Sequence, residues 1–157
     1  MAFMGCPLTS VHIPQNVTYL SDAFCNCSSL ASFTGKFTTT DGKMLINDGK
    51  LEGIAPYGMT KCIVPEGVKR IASRVFYFTK IEEIVFPESL ELIADFWMTF
   101  SGCRAKTITV KALTPPKGIE GMFSTYLETI YVPAESVETY KTAEHWSAYA
   151  DKIKAIQ

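Results

Sequence analysis

The chain has 157 residues, 47% hydrophobic and 20% charged, a composition that fits one globular domain and excludes intrinsic disorder. Its net charge of −1 gives no electrostatic pull on nucleic acid or acidic membranes, and no apolar run reaches the ~18 residues a membrane span needs. Five cysteines, an odd number, argue against a fully paired disulfide framework.

The first residues, Ala2-Phe3-Met4-Gly5-Cys6, have neither the basic stretch nor the long apolar run of a secretory signal. They read as the tail of a repeat cut in its middle, so an N-terminally truncated array is expected. Leu8-x-x-Val11-x-Ile13 follows and ends at Pro14. Alternate residues of a strand share a face, and proline ends a strand because it has no N–H to donate. Val17-x-x-Leu20 comes next, then Phe24-x-x-Cys27, and then a new strand pattern, Leu30-x-x-Phe33.

The same three elements recur down the chain. Strand patterns are Met59-x-x-Cys62-x-Val64, Ile81-x-x-Ile84-x-Phe86, a weaker Ala105-x-x-Ile108-x-Val110, and Leu127-x-x-Ile130-x-Val132. Val68-x-x-Ile71 and Leu90-x-x-Ile93 repeat the second element. Phe3/Cys6, Phe100/Cys103 and Phe76/Thr79 repeat the third. Pro65 and Pro87 lie 22 residues apart, Pro87 and Pro133 lie 46 apart, and Pro14 and Pro65 lie 51 apart. Those intervals fit one unit, two units, and two units with a short insertion. One unit cannot bury its apolar face alone, so stacked units must share a core, with parallel strands ~4.8 Å apart. The expectation is a single domain over 1–157, α/β by class and β-dominated. It is a right-handed solenoid with one parallel sheet of about six short strands.

Two stretches depart from the period. Between Phe33 and Met59 the second and third elements are missing. Asn47-Asp48-Gly49 there, flanked by apolar residues, signals a β-hairpin over about 38–55, projecting from or lying against the convex side. Near the end, Thr114-Pro115-Pro116-Lys117-Gly118 is a rigid turn, and Pro133 opens a helical pattern with Val137 and Tyr140 at i, i+3. With Trp146, Tyr149, Ile153 and Ile156 it predicts a C-terminal helical cap over about 133–157.

Ala23-Phe24-Cys25-Asn26-Cys27-Ser28-Ser29-Leu30 and Leu8-Thr9-Ser10-Val11-His12-Ile13-Pro14 resemble the repeat of BspA-type leucine-rich-repeat proteins. So do the hairpin segment and the tail from Tyr131 to Lys141. The resemblance covers essentially the whole chain, although Lys106 stands where a leucine is usual. It implies a leucine-rich-repeat solenoid, an extracellular or cell-surface location in bacteria, and adhesion to host matrix or bacterial surface proteins.

No catalytic or cofactor pattern is present, so a non-enzyme without cofactors or metals is expected. His12 and His145 have no Cys or His at metal-ligand spacing. Cys6, Cys27 and Cys103 occupy one repeat position and read as small core hydrophobes, while stacking of Cys6 on Cys27 leaves a disulfide open. Glu82 and Glu83, adjacent on one strand, are expected to point to opposite sides and so form no carboxylate dyad.

Solenoids commonly bind ligands on the strand face. Its outward positions here are Ser10 and His12, Ser32 and Thr34, Lys61 and Ile63, Glu83 and Val85, Thr107 and Thr109, Thr129 and Tyr131. Ile63, Val85 and Tyr131 give the later half an apolar, aromatic character suited to a protein partner. A carbohydrate partner finds only Tyr131 and Tyr149 to stack on. The other reading is a structural stalk or terminal capping module whose ligand contacts lie in missing repeats.

Overall fold

The period-2 pattern becomes strand wherever the repeat places it. In the computed structural model, which describes residues 2–20 and 22–157, β1 (Ser10–Ile13) pairs in parallel with β2 (Ser32–Gly35). A hairpin of β3 (Met44–Asn47) and β4 (Lys50–Ile54) follows, then β5 (Lys61–Ile63) and the two-residue β6 (Arg70–Ile71). β7 (Glu83–Phe86), β8 (Thr107–Val110) and β9 (Thr129–Val132) complete the six expected strands. After one short helix, α1 (Val137–Thr142), comes β10 (Ile153–Ala155). The whole is a mostly parallel β-solenoid of about seven turns.

Its strand face is divided, where one sheet was expected. β1 and β2 form one sheet, and β5, β7, β8, β9 and β10 form another. The cause lies in the hairpin coil. The N–H of Phe33 on β2 donates to the carbonyl of Gly42 at 2.7 Å, so a loop occupies the edge that β5 would otherwise pair with.

Inward residues of successive coils stack into the core. Ile13, Phe33, Cys62, Ile84, Phe86, Ile108, Val110, Ile130 and Val132 are all buried. Burying each large aliphatic or aromatic side chain contributes about 1.5–3 kcal/mol before chain entropy is counted. The second element forms its own ladder. The Ile71 N–H donates to the Leu92 carbonyl, and the Ile93 N–H to that of Lys117. The third element stacks phenylalanines, Phe76 on Phe100 at 5.3 Å and 6° and Phe3 on Phe24 at 5.6 Å and 3°.

The hairpin lies against the solenoid. Asp48 and Gly49 both take positive φ (47° and 68°), the pair a type I′ turn demands. β4 then runs parallel to β6, with Leu51 opposite Ile71, and so stands in for the missing Val-x-x-Ile element. The packing is close enough that the Glu52 side chain is 5% exposed, and burial pushes its carboxyl pKa up.

The C-terminal cap is less helical than expected. The Tyr140 hydroxyl donates to the Ala112 carbonyl at 2.7 Å, and the Trp146 Nε1–H to that of Pro116 at 2.8 Å, so both rings clamp the Pro115-Pro116 turn. Ile153 and its neighbours form a strand instead of cap helix. The free edge of β9 needs hydrogen-bond partners, and β10 supplies them: Ile130 N–H to Lys152 carbonyl, and Ile156 N–H to Val132 carbonyl.

Candidate functional site

Strand alternation places all twelve expected positions outward, but in two groups. On the five-stranded sheet, Lys61, Glu83, Thr107 and Thr129 line up in one column by strand register. Ile63, Val85, Thr109 and Tyr131 line up in the other. β10 continues the second column with Lys154 beside Tyr131. Ser10 with Ser32 and His12 with Thr34 form the same two columns on the two-stranded sheet, across the gap left by the hairpin coil.

The two groups differ in chemistry. His12 Nδ1 and Thr34 Oγ1 lie 3.0 Å apart, a small polar patch. On the larger sheet, Ile63 is 58% exposed while Val85 and Tyr131 are half-buried, and Ile156 and Gln157 flank Tyr131 and Thr109 around a shallow hollow of about 230 Å³. A partly apolar column thus runs beside a polar one. The Lys61–Glu83 ion pair at 2.9 Å joins the polar column. Both groups are half-exposed, so the pair contributes ~0–1 kcal/mol and acts chiefly to set charge on the surface.

A second feature arises where the repeat is incomplete. In regular coils the third element spans the side of the solenoid and bonds to the next coil. Phe3 and Gly5 donate N–H to the carbonyls of Ala23 and Cys25, and Phe76 and Phe78 donate to Thr99 and Ser101. The hairpin coil has no such segment. A cleft of about 460 Å³ therefore opens between residues 26–29 and residues 77–80, with Tyr57 and Met59 between them. Arg74 Nη1 bonds Asp22 Oδ2 at 2.8 Å across this gap, and the guanidinium lies over the Phe96 ring at 4.7 Å. A smaller hollow of about 320 Å³ shares Tyr57, Gly58 and Met59 and reaches Lys61 and Ile63, so the cleft runs on to the strand face.

The cleft holds an unusual residue. The second position after each stacking phenylalanine turns left-handed: Gly5, Asn26, Phe78 and Gly102 have φ of 69°, 57°, 54° and 68°. Glycine and asparagine tolerate this conformation, whereas for other residues it costs roughly 1–2 kcal/mol. Phe78 bears that strain with a ring 56% exposed. The ring lies on the bare Cα of Gly102, where an added Cβ would come within 2.9 Å of it. Tyr77 meets it edge-on at 4.7 Å, and Tyr57 is 61% exposed nearby. The absent Phe-x-x-Cys between Phe33 and Met59 was the sequence signal for this cleft, and Phe78 in a Gly/Asn position was the second.

The cysteines are free, including Cys6 and Cys27. The Cys27 thiol donates to the Phe3 carbonyl at 3.0 Å. Burial pushes the Cys62 thiol up to about 12 and raises that of Cys103, so both behave as core hydrophobes. Thr79 fills its cysteine's place by donating its hydroxyl to the Phe76 carbonyl at 3.0 Å, 3.3 Å from Cys103 Sγ. Glu82 and Glu83 are both exposed, and β7 begins only at Glu83. Glu82 sits in the approach to that strand, its carbonyl taken by the N–H groups of Lys106 and Thr107. Among the described residues, no group of three or more His, Cys, Asp or Glu gathers as metal ligands, and no helix is long and apolar enough to cross a membrane.

No curated protein matches the chain. A family model described as a BspA type leucine rich repeat region matches in six copies, over residues 1–112 and 55–143. Leucine-rich-repeat domains of this kind are repeat scaffolds that generally mediate protein interactions. The matched residues contain the three in-phase ladders, the hairpin coil and the strand register described above, and the chain belongs to the BspA-type leucine-rich-repeat family.

Proposed function

We propose that the chain is a non-enzymatic protein-binding or adhesion module of a bacterial surface or secreted protein. It engages a host matrix protein or a bacterial surface protein through the strand face of the five-stranded sheet. The observation that supports this reading most is the column of Ile63, Val85, Thr109 and Tyr131, held in register on a rigid sheet with Ile63 largely exposed. Apolar and aromatic side chains next to a charged rim suit a protein contact.

The test is binding of the whole chain to immobilised matrix proteins and to bacterial cells, with Val85→Ser/Tyr131→Ala as the variant. Loss of binding by tenfold or more is expected, about 1.4 kcal/mol or above. Unchanged binding removes the site from this face.

A second reading is a structural stalk or terminal unit whose ligand contacts lie in other repeats. It draws on the coil of residues 2–27, where Phe3 is 46% exposed on top of Phe24, and Val11 and Tyr19 border a hollow of about 550 Å³. A further coil would stack there. Failure of this chain to bind any partner of a longer protein containing it favours that reading.

A further inference from the structure

The side of the hairpin coil that lacks its third element leaves backbone groups of a definite pattern. In the coils at Phe3 and Phe76, the phenylalanine and the second residue after it donate N–H groups to the next coil, whereas those of Phe100 and Gly102 find no backbone acceptor among the described residues. The residues just before and just after the phenylalanine accept from the coil before. On one side of the gap, the N–H groups of Phe24 and Asn26 find no backbone acceptor among the described residues, and Asn26 lines the cleft itself. On the other side, the carbonyls of Val75 and Tyr77 receive no backbone donor among them, and Tyr77 lines the cleft itself. Two donors stand on one side and two acceptors on the other, in the register of one missing rung. The Arg74–Asp22 pair bridges the walls two residues before Phe76 and Phe24.

We propose that this cleft is a slot for an extended peptide segment of a partner protein, bound as the missing rung. A segment of about four residues spans it at ~3.3 Å per residue. Its carbonyls accept from Phe24 and Asn26, and its N–H groups donate to Val75 and Tyr77. Adding a strand to free backbone edges is an established mode of peptide recognition, in which main-chain bonds give affinity and side-chain contacts give selectivity. Tyr57 and Phe78 offer exposed rings to the segment's apolar side chains. Lys80 is the single charged residue of the lining and favours a neutral or acidic segment. The strain at Phe78 fits this role, since a bulky ring kept in a left-handed position serves contact rather than folding. A sugar could stack on the rings but would not satisfy donors and acceptors spaced as a peptide rung. Val85 and Tyr131 lie outside the lining of the cleft, so a variant at those two positions tests the strand face without touching the slot.

The experiment uses the whole chain and a fluorescein-labelled peptide that copies the rung of residues 96–103, with serine at its cysteine position. Saturable binding is expected, with shifts of the Phe24 and Asn26 amide resonances. N-methylation of the peptide at its second phenylalanine and at the second residue after that should weaken binding about tenfold, the worth of two hydrogen bonds. Phe78→Gly should weaken it several-fold while leaving the fold at least as stable, and Val85→Ser/Tyr131→Ala should not change it. Dissociation constants above ~1 mM, equal binding of the N-methylated peptide, or capture of glycans in place of peptide with the same dependence on Phe78 would each overturn the proposal.

Discussion

The coils before the hairpin and the coils after it carry the same repeat but bury it to different depths. After the hairpin, Phe76 and Phe100 are completely enclosed, and one core runs from Met44 to Ile153. Before it, Phe24 is half-buried, and a separate small core holds Ile13, Leu20, Cys27, Leu30, Phe33, Leu45 and Ala55. The residue types hardly differ, so burial here is decided by neighbours. In a solenoid each coil is stabilised by the coils that touch it. The coil around Phe24 meets an incomplete coil on its C-terminal side, whereas Phe100 is sandwiched between the rings of Phe76 and Phe123.

The largest expected effect tests this difference directly. Phe100→Ala should cost about 3–5 kcal/mol, and Phe24→Ala no more than about 2, in urea unfolding followed by circular dichroism. Equal costs would mean that the two cores act as one. A middle-sized effect concerns what ties them together. Arg74→Met removes the ion pair that spans the gap and leaves Asp22, itself mostly buried, without its partner. A loss of about 1–3 kcal/mol is expected, with faster amide exchange in β1 and β2 than in β7 to β9. Uniform acceleration over the whole chain would contradict a divided array. The smallest effect compares one repeat position in the two consecutive coils that follow the gap. Gly102→Ala should cost about 1–2 kcal/mol through its positive φ and the Phe78 ring above it. In a Phe78→Gly background the ring contribution vanishes, so a double-mutant cycle should return a coupling of at least ~0.5 kcal/mol. Strict additivity would remove the ring–glycine contact from the account.

Much of this architecture was legible in the sequence because periodic burial leaves periodic residues. Ile13, Cys62, Ile84, Ile108 and Ile130 occupy the inward positions that alternation assigns them, and the Asp48-Gly49 turn forms as its residue types dictate. What was not legible depends on space rather than on period. The loop at Gly42 that divides the sheet has no apolar signature. β10 is a three-residue strand whose existence follows from the unmet edge of β9, a condition no local pattern records. The outward set was readable residue by residue, yet its division into Ser10, His12, Ser32 and Thr34 against the other eight follows from that same Gly42 loop. The cleft was visible as an omission and as a phenylalanine in a Gly/Asn position, but the ion pair that bridges its two sides joins residues 52 positions apart.

The hairpin coil also has a mechanical meaning. A pull along the solenoid axis is shared among the hydrogen bonds that join one coil to the next. The coils at Phe76 and Phe100 share it over three sides: the strand ladder, the ladder through Ile71 and Ile93, and the ladder through Phe76 and Phe78. At the hairpin the strand ladder shrinks to isolated bonds such as Tyr57 N–H to the Leu30 carbonyl, and the third ladder is missing. The hairpin coil is therefore a compliant joint in the array. A segment seated in the cleft would splint that joint, coupling the load the array can bear to what it holds.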